Sequence, residues 1–394
     1  MKYRAFFLGL LGINILILVL QIKGLSIGYN EAKILYDQSS FLSSIITLSL
    51  HLFGQNDYAL RIPMILLHTL SVILLYGISK HYIEREVDRL WVILIYMLLP
   101  GVTSAALIVD NAGIVIASLF LFAYLYLRFG QYALGLLPLL VLIHPAFAYL
   151  FLALTLYGFY RKNPIFVITG ILFLSISIFL YGTNIGGAPE GRFLDTIGLY
   201  AAICSPIVFL YLFYVLYRRL IGKEWDLIWM IAMSAFLISL LLSFRQKVEV
   251  QTFAPFLLLA LPLAAQTFLR TYRVRLREFR GRYRLLFYSA FIILIINALI
   301  VFFNQWLYHF ISNPTRHFSY PMHVAKELSG VLKHDHIKCI NAQDDKLQLR
   351  LRFYEITQCN DYQLDKKEVP ASKKVTISYK NIPVYVTYVT KINR

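Results

Sequence analysis

Long apolar runs and short polar connectors alternate through the first three hundred residues, and only beyond about residue 310 does the chain turn polar with a shorter period. A helix needs roughly 17 to 25 mostly apolar residues to cross a bilayer. Eleven runs approach that length: 5–22, 62–79, 91–107, 112–127, 132–143, 146–160, 164–181, 198–216, 227–243, 250–268 and 285–303. The fifth and sixth are short and meet at His144-Pro145, where a hairpin that stops short of the far side is the alternative. The pattern therefore predicts a polytopic α-helical membrane protein of nine to eleven spans.

The loop between the first two spans, residues 23–61, is too long for a simple connector and too apolar for a free one. Leu42, Ile45, Ile46, Leu48 and Leu50 fall at helical spacing with serines between them, which predicts a helix over 41–53 lying along the membrane interface. A shorter helix is predicted to begin near Tyr29-Asn30-Glu31, capped by Asn30, with Glu31 in its first turn at the membrane surface. After the last run, the pattern predicts helices over 322–333 and 346–355 and strands over 336–340, 374–379 and 383–389. Two parts follow: a transmembrane domain, 1–309, and a small C-terminal α/β domain, 310–394.

Composition strengthens the membrane reading, since 59% hydrophobic residues, 15% charged residues and a mean hydropathy of +0.64 exclude an ordinary soluble chain. Charge then sets the orientation. With a cytoplasmic N-terminus, eighteen lysines and arginines fall in cytoplasmic segments and six in the opposite loops up to residue 309, as the positive-inside rule requires. The net charge of +17 is thereby read as topology, and the arginine-rich turn before the last run faces anionic lipid rather than nucleic acid. No small-residue cleavage site follows the first run, so it reads as an uncleaved anchor. Cys339 and Cys359 fall on the oxidising side, where a disulfide is open to them, whereas Cys204 lies inside a span and reads as packing.

Acidic residues concentrate in the short external loops, which is where an extracytoplasmic site would lie. Glu31 and Asp110 are the candidates for accepting a proton from an acceptor hydroxyl. Their plainer readings are a helix-dipole carboxylate and a solvated cap. No Walker-type loop and no GxGxxG after a strand occurs, so nucleotide-driven chemistry has no support.

The stretch from Ile27 to Tyr76 resembles the opening of the GT-C glycosyltransferases of the dolichyl-phosphate-mannose protein mannosyltransferase and aminoarabinose-transferase type. The matching residues are Glu31-Ala32, Leu52-Phe53-Gly54 and Ala59-Leu60-Arg61-Ile62-Pro63, and Leu99-Pro100-Gly101 followed by Asp110 resembles the same family. The likeness covers roughly residues 5–130. It implies transfer of a sugar from a polyprenyl-phosphate donor to an acceptor hydroxyl of lipid, glycan or protein, outside the cytoplasm, by a protein of the bacterial inner membrane.

One departure stands out: the family's first acid, its favoured base, is Asn30 here, which cannot usefully accept a proton. Either Glu31 or Asp110 takes over the base role, or the chain is a silent scaffold. A transporter or flippase is the rival class, though it usually carries charge near mid-membrane. Arg245 and Lys247 are candidates for holding the donor phosphate, with pairing to Glu249 or lipid as the alternative. His144 is a candidate for phosphate or metal contact, or a simple cap. Glu190 and Arg192 belong to a glycine-rich segment that reads as a flap or as a connector. No cofactor is required by this chemistry, and a divalent cation is left open.

Overall fold

All eleven apolar runs fold as helix in the computed structural model, which describes residues 2–37, 40–182, 191–311, 313–370, 372–379 and 382–392. In chain order the helices are α1 (Lys2–Ile22), α2 (Tyr29–Asp37), α3 (Phe41–Phe53), α4 (Asp57–Tyr82), α5 (Glu86–Leu98) and α6 (Pro100–Leu107). Next come α7 (Asn111–Phe129), α8 (Leu137–Ile143), α9 (Ala148–Arg161), α10 (Pro164–Tyr181), α11 (Phe193–Cys204) and α12 (Pro206–Gly222). The remainder are α13 (Leu227–Ser243), α14 (Val250–Leu258), α15 (Leu261–Val274), α16 (Arg280–Phe302), α17 (Ala325–His334) and α18 (Asp345–Phe353). Three strands complete the chain: β1 (Tyr362–Asp365), β2 (Lys373–Tyr379) and β3 (Ile382–Lys391).

Proline explains where straight runs break. The helix pairs α5–α6, α11–α12 and α14–α15 bend by 64°, 108° and 43°. Pro100, Pro206 and Pro262 each lie in the first turn of the second member, where a missing N–H costs nothing, and the residues before the first two, Leu99 and Ser205, lie outside the helical region. At the sharpest bend Ser205 adopts φ 64°, and its hydroxyl accepts a hydrogen bond from Asn297 at 2.9 Å. Among the described residues, five single stretches, one of them α7 continued into α8, are long and apolar enough to cross a membrane, and eight are if each bent pair counts as one span. The chain is an integral membrane protein.

Contacts divide it into two units: one of residues up to Ile15, Met64–Ala106 and Asn111–Ala298, the other of Leu16–Pro63, Leu107–Asp110 and the chain from Leu299 onward. The first unit is helical, with a core that includes Phe120, Phe147, Phe151, Tyr200 and Phe256. Helices α9 and α10 pack backbone to backbone there, since a Cβ on Gly170 would lie 2.4 Å from Thr155 Oγ1.

The second unit holds α2, α3, α17, α18 and an antiparallel sheet of order β1-β3-β2, with Tyr362 opposite Lys391 and Lys373 opposite Val389. Leu328, Leu332, Leu351, Ile377 and Val389 are among its core residues. The strand expected over 336–340 is reduced to isolated bridges, Cys339 to Thr357 and Asn341 to Gln363. Cys339 and Cys359 are joined by a disulfide with Cα atoms 5.4 Å apart.

Pro63 lies inside α4 and leaves the carbonyl four residues back, that of Ala59, without its helical donor. Buried Ser49 of α3 supplies one, its Oγ donating to Ala59 O at 2.6 Å. Ser49→Ala is expected to cost about 1–3 kcal/mol, the penalty of an orphaned buried carbonyl. An unchanged thermal unfolding midpoint would refute this.

His323 is buried among aromatic rings, its Nδ1 2.9 Å from Tyr308 Oη, and its Nε2 has no hydrogen-bond partner. Burial, with His317 nearby, lowers its pKa to about 4. The unfolded imidazole binds a proton near pH 6.5, so the stabilisation is present above that pH and is lost as pH falls toward about 4. The full loss is about 3 kcal/mol. His323→Asn should flatten the acid limb of a thermal-midpoint titration; an identical limb in both proteins would count against the assignment.

Candidate active site

Glu31 is placed by the start of its own helix. Because α2 begins at Tyr29, Gly28 is the N-cap and Glu31 the third helical residue, from which a carboxylate can reach back to the N-cap N–H. Gly28 N–H donates to Glu31 Oε2 at 2.6 Å, and the Gly28 carbonyl accepts from Ala32 N–H at 3.0 Å. A Cβ at position 28 would press on this arrangement, 3.2 Å from Met322 Cε and 3.3 Å from Glu31 Oε2. Asn30, the cap expected from sequence, is instead an exposed residue of the first turn.

The same carboxylate has two other partners. Oε1 accepts from Val109 N–H at 2.8 Å, and Oε2 lies 3.3 Å from Arg61 Nη2. Glu31 and Arg61 are both 0% exposed, so the Glu31 carboxylate is buried within the protein rather than solvated. Two backbone donors and a guanidinium offset the cost of taking its charge out of water.

Arg61 sits one turn after Asp57 on α4. Its Nη2 also donates to Ser26 O at 2.9 Å, and its Nη1 lies 3.6 Å from Asp57 Oδ1. Asp57 Oδ1 accepts from Tyr354 Oη at 2.7 Å, and Lys326 Nζ is 2.9 Å from Oδ2. Tyr354 Oη in turn accepts from Ile27 N–H at 3.0 Å. Burial first, then the charge and hydrogen bond of Asp57, raise the Tyr354 phenol above its ordinary range and keep it a donor. Two carboxylates thus meet two cations, and the cluster is neutral.

Helix α18 carries Tyr354 at its C-terminal end and packs along α2 through cations over rings: Arg352 lies 4.4 Å from the Tyr36 ring centre and Lys346 5.5 Å from that of Tyr29. Gln55 Nε2 donates to Phe353 O at 2.7 Å beside them. Lys326 and Tyr354 are the members that sequence reasoning missed.

Asp110 directly follows Val109 and is half-buried. The bond from Val109 N–H therefore brings the two candidate acids together although Glu31 and Val109 are 78 positions apart. Arg245, Lys247, His144 and Arg192 belong to the first unit. Arg245 and Lys247 are exposed in the turn after α13. His144 caps a short turn, its Nδ1 accepting from Ala146 N–H at 3.1 Å. Arg192 is exposed and pairs with Asp195 at 3.3 Å, and Glu190 lies outside the described residues. Among the described residues, the cluster of ligand-bearing side chains compact enough for an ion is Cys339, Cys359 and Asp361, whose two sulfurs are bonded to each other.

No protein-family model matches the chain, and no curated protein matches it in sequence at a significant level. Its structure does resemble solved ones. The crystal structure of ArnT from Cupriavidus metallidurans in the apo state superposes with a TM-score of 0.53, over 98% of this chain and 97% of that one, at 10% identity. The chain has the ArnT fold. The structure of the same protein bound to undecaprenyl phosphate superposes with a TM-score of 0.50 over 98% of each chain, again at 10% identity. ArnT is an aminoarabinose transferase, a GT-C enzyme, so the architecture expected from residues 5–130 extends over nearly the whole chain. Such low identity carries the fold alone.

Proposed function

We propose that the protein is a membrane glycosyltransferase that moves a sugar from a polyprenyl-phosphate donor to an acceptor hydroxyl. The observation that carries the reading is end-to-end likeness to ArnT, one of whose structures holds undecaprenyl phosphate. The basic-residue asymmetry supports a cytoplasmic N-terminus, with the first loop and the C-terminal α/β part outside, in an inner membrane.

In this reading Asp110 is the general base and Glu31 a positioning residue. Both oxygens of Glu31 are engaged and the side chain has no exposure, whereas Asp110 is half-exposed on the backbone segment that Glu31 holds. Asp110 takes the proton of the acceptor hydroxyl as its oxygen bonds to the sugar C1. The bond from C1 to the phosphate oxygen breaks, and polyprenyl phosphate leaves with the electron pair. Arg245 and Lys247, exposed cations in one turn, are suited to bind such a phosphate.

A second reading is favoured by Asn30, an amide on the exposed first turn of α2: the chain binds a lipid phosphate without turning it over. One assay separates the two. Purified protein in liposomes receives polyprenyl-phosphate-linked radiolabelled sugars, and both release of the lipid phosphate and transfer of label are followed. Transfer supports the enzyme, binding without release supports the silent form, and absence of binding overturns both.

A further inference from the structure

A groove of about 350 Å³ lies within the first unit between α5, α12, α15 and α16, far along the chain from the cluster around Glu31. Its walls are Trp91, Tyr211, Phe268, Phe287, Phe291 and Leu294, with Asp88, Tyr272 and Arg284 contributing polar groups from helix ends. Trp91 meets Phe287 and Phe291 edge to face, with ring centres 5.3 and 5.2 Å apart. Helix α16 buries little of itself: Leu285, Leu286, Tyr288 and Ile292 are all exposed.

The residues at the polar end form one built structure. Arg273 pairs with Asp88, and Arg284 Nη2 donates to Tyr272 Oη at 3.1 Å. Arg280 donates to the carbonyls of Arg275 and Arg273 at 2.9 and 3.0 Å, folding the turn between α15 and α16. Arg275 lies 3.8 Å over the Tyr283 ring. Residues 270–284 hold seven arginines against one glutamate, Glu278, and Arg282 and Arg284 are exposed. An apolar slot that ends in concentrated positive charge matches a molecule with a hydrocarbon chain and an anionic head.

We propose that this groove holds one acyl chain of an anionic phospholipid, with the phosphate taken by the arginines of the 270–284 turn. The site is separate from the transfer chemistry. Choosing a phospholipid over the polyprenyl donor rests on the orientation proposed above, which puts the arginine turn on the cytoplasmic side and the acceptor outside.

The full-length protein in detergent would be offered phosphatidylglycerol and phosphatidylcholine of the same chain composition, and retained lipid read by native mass spectrometry. Phosphatidylglycerol should be retained about tenfold more strongly, and Arg282→Gln with Arg284→Gln should bring the ratio toward parity. Ala265→Phe, which fills the groove, should lower retention of both lipids. Should these variants fail to fold, a second measurement decides: phosphatidylglycerol with brominated chains should quench tryptophan fluorescence of the wild-type protein, and the conservative Trp91→Phe should remove most of that quenching. Equal retention of the two lipids by wild type, an unchanged ratio in the arginine variant, or quenching that survives loss of Trp91 would overturn the site. Displacement by equimolar undecaprenyl phosphate would assign the groove to the donor and overturn the proposal as well, leaving the transferase reading intact.

Discussion

Replacing Asp110 with asparagine should lower sugar transfer by about 10²-fold or more, the scale of losing a general base, while leaving donor binding close to wild type. The expectation comes from the division of labour between the two acids. Glu31 spends its oxygens on Gly28 N–H, Val109 N–H and Arg61, and offers no lone pair to solvent. Asp110 rides on the segment so fixed and retains partial exposure. Glu31→Gln should therefore behave differently: an amide presents N–H groups where three donors already point, so yield and melting temperature should fall along with turnover. The deciding measurement is kcat beside the unfolding midpoint for both variants. Full activity in Asp110→Asn would end its assignment as the base.

Arg61→Met should destabilise the protein by about 3–5 kcal/mol, the cost of leaving buried charge without its partner. Arg61 is 0% exposed, and its removal strands the equally buried Glu31 without a cation, whereas Asp57 keeps Lys326 and Tyr354. Adding Glu31→Gln to Arg61→Met should recover part of that loss, because it removes one uncompensated carboxylate; a purely steric role for Arg61 would make the double variant worse than the single. Thermal unfolding of the four proteins in one detergent measures this cycle. Wild-type stability in Arg61→Met would refute the electrostatic account.

Local pattern made much of the first loop legible. Apolar spacing placed the helix over 41–53, and it is α3 residue for residue. The place of Arg61 at the start of the second span suggests Asp57 as its partner, and the two pair one turn apart on α4. The cap of α2 was read one step too simply: asparagine is a favoured N-cap, yet the chain uses Gly28 and lets Glu31 close the turn from inside. That arrangement takes the Glu31 carboxylate into the protein interior. Strand β1 escaped notice because four residues, Tyr362–Asp365, are too few to display an alternation. Nothing local marks Tyr354, one of 28 tyrosines, or Lys326 as partners of Asp57. Such partners are chosen by the folded chain, and spacing carries no trace of them.

Ile27 and Tyr354 are 327 positions apart, and Asp57 and Tyr354 are 297 apart. At a synthesis rate of about 5–20 residues per second, the first loop leaves the ribosome about 15–60 s before the phenol that completes it exists. During that interval Glu31 and Arg61 can pair within the loop, while the Asp57 carboxylate waits without Tyr354 or Lys326. A chain that stops before residue 354 therefore lacks the phenol that donates to Asp57 and accepts from Ile27 N–H, so its first loop is left two hydrogen bonds short.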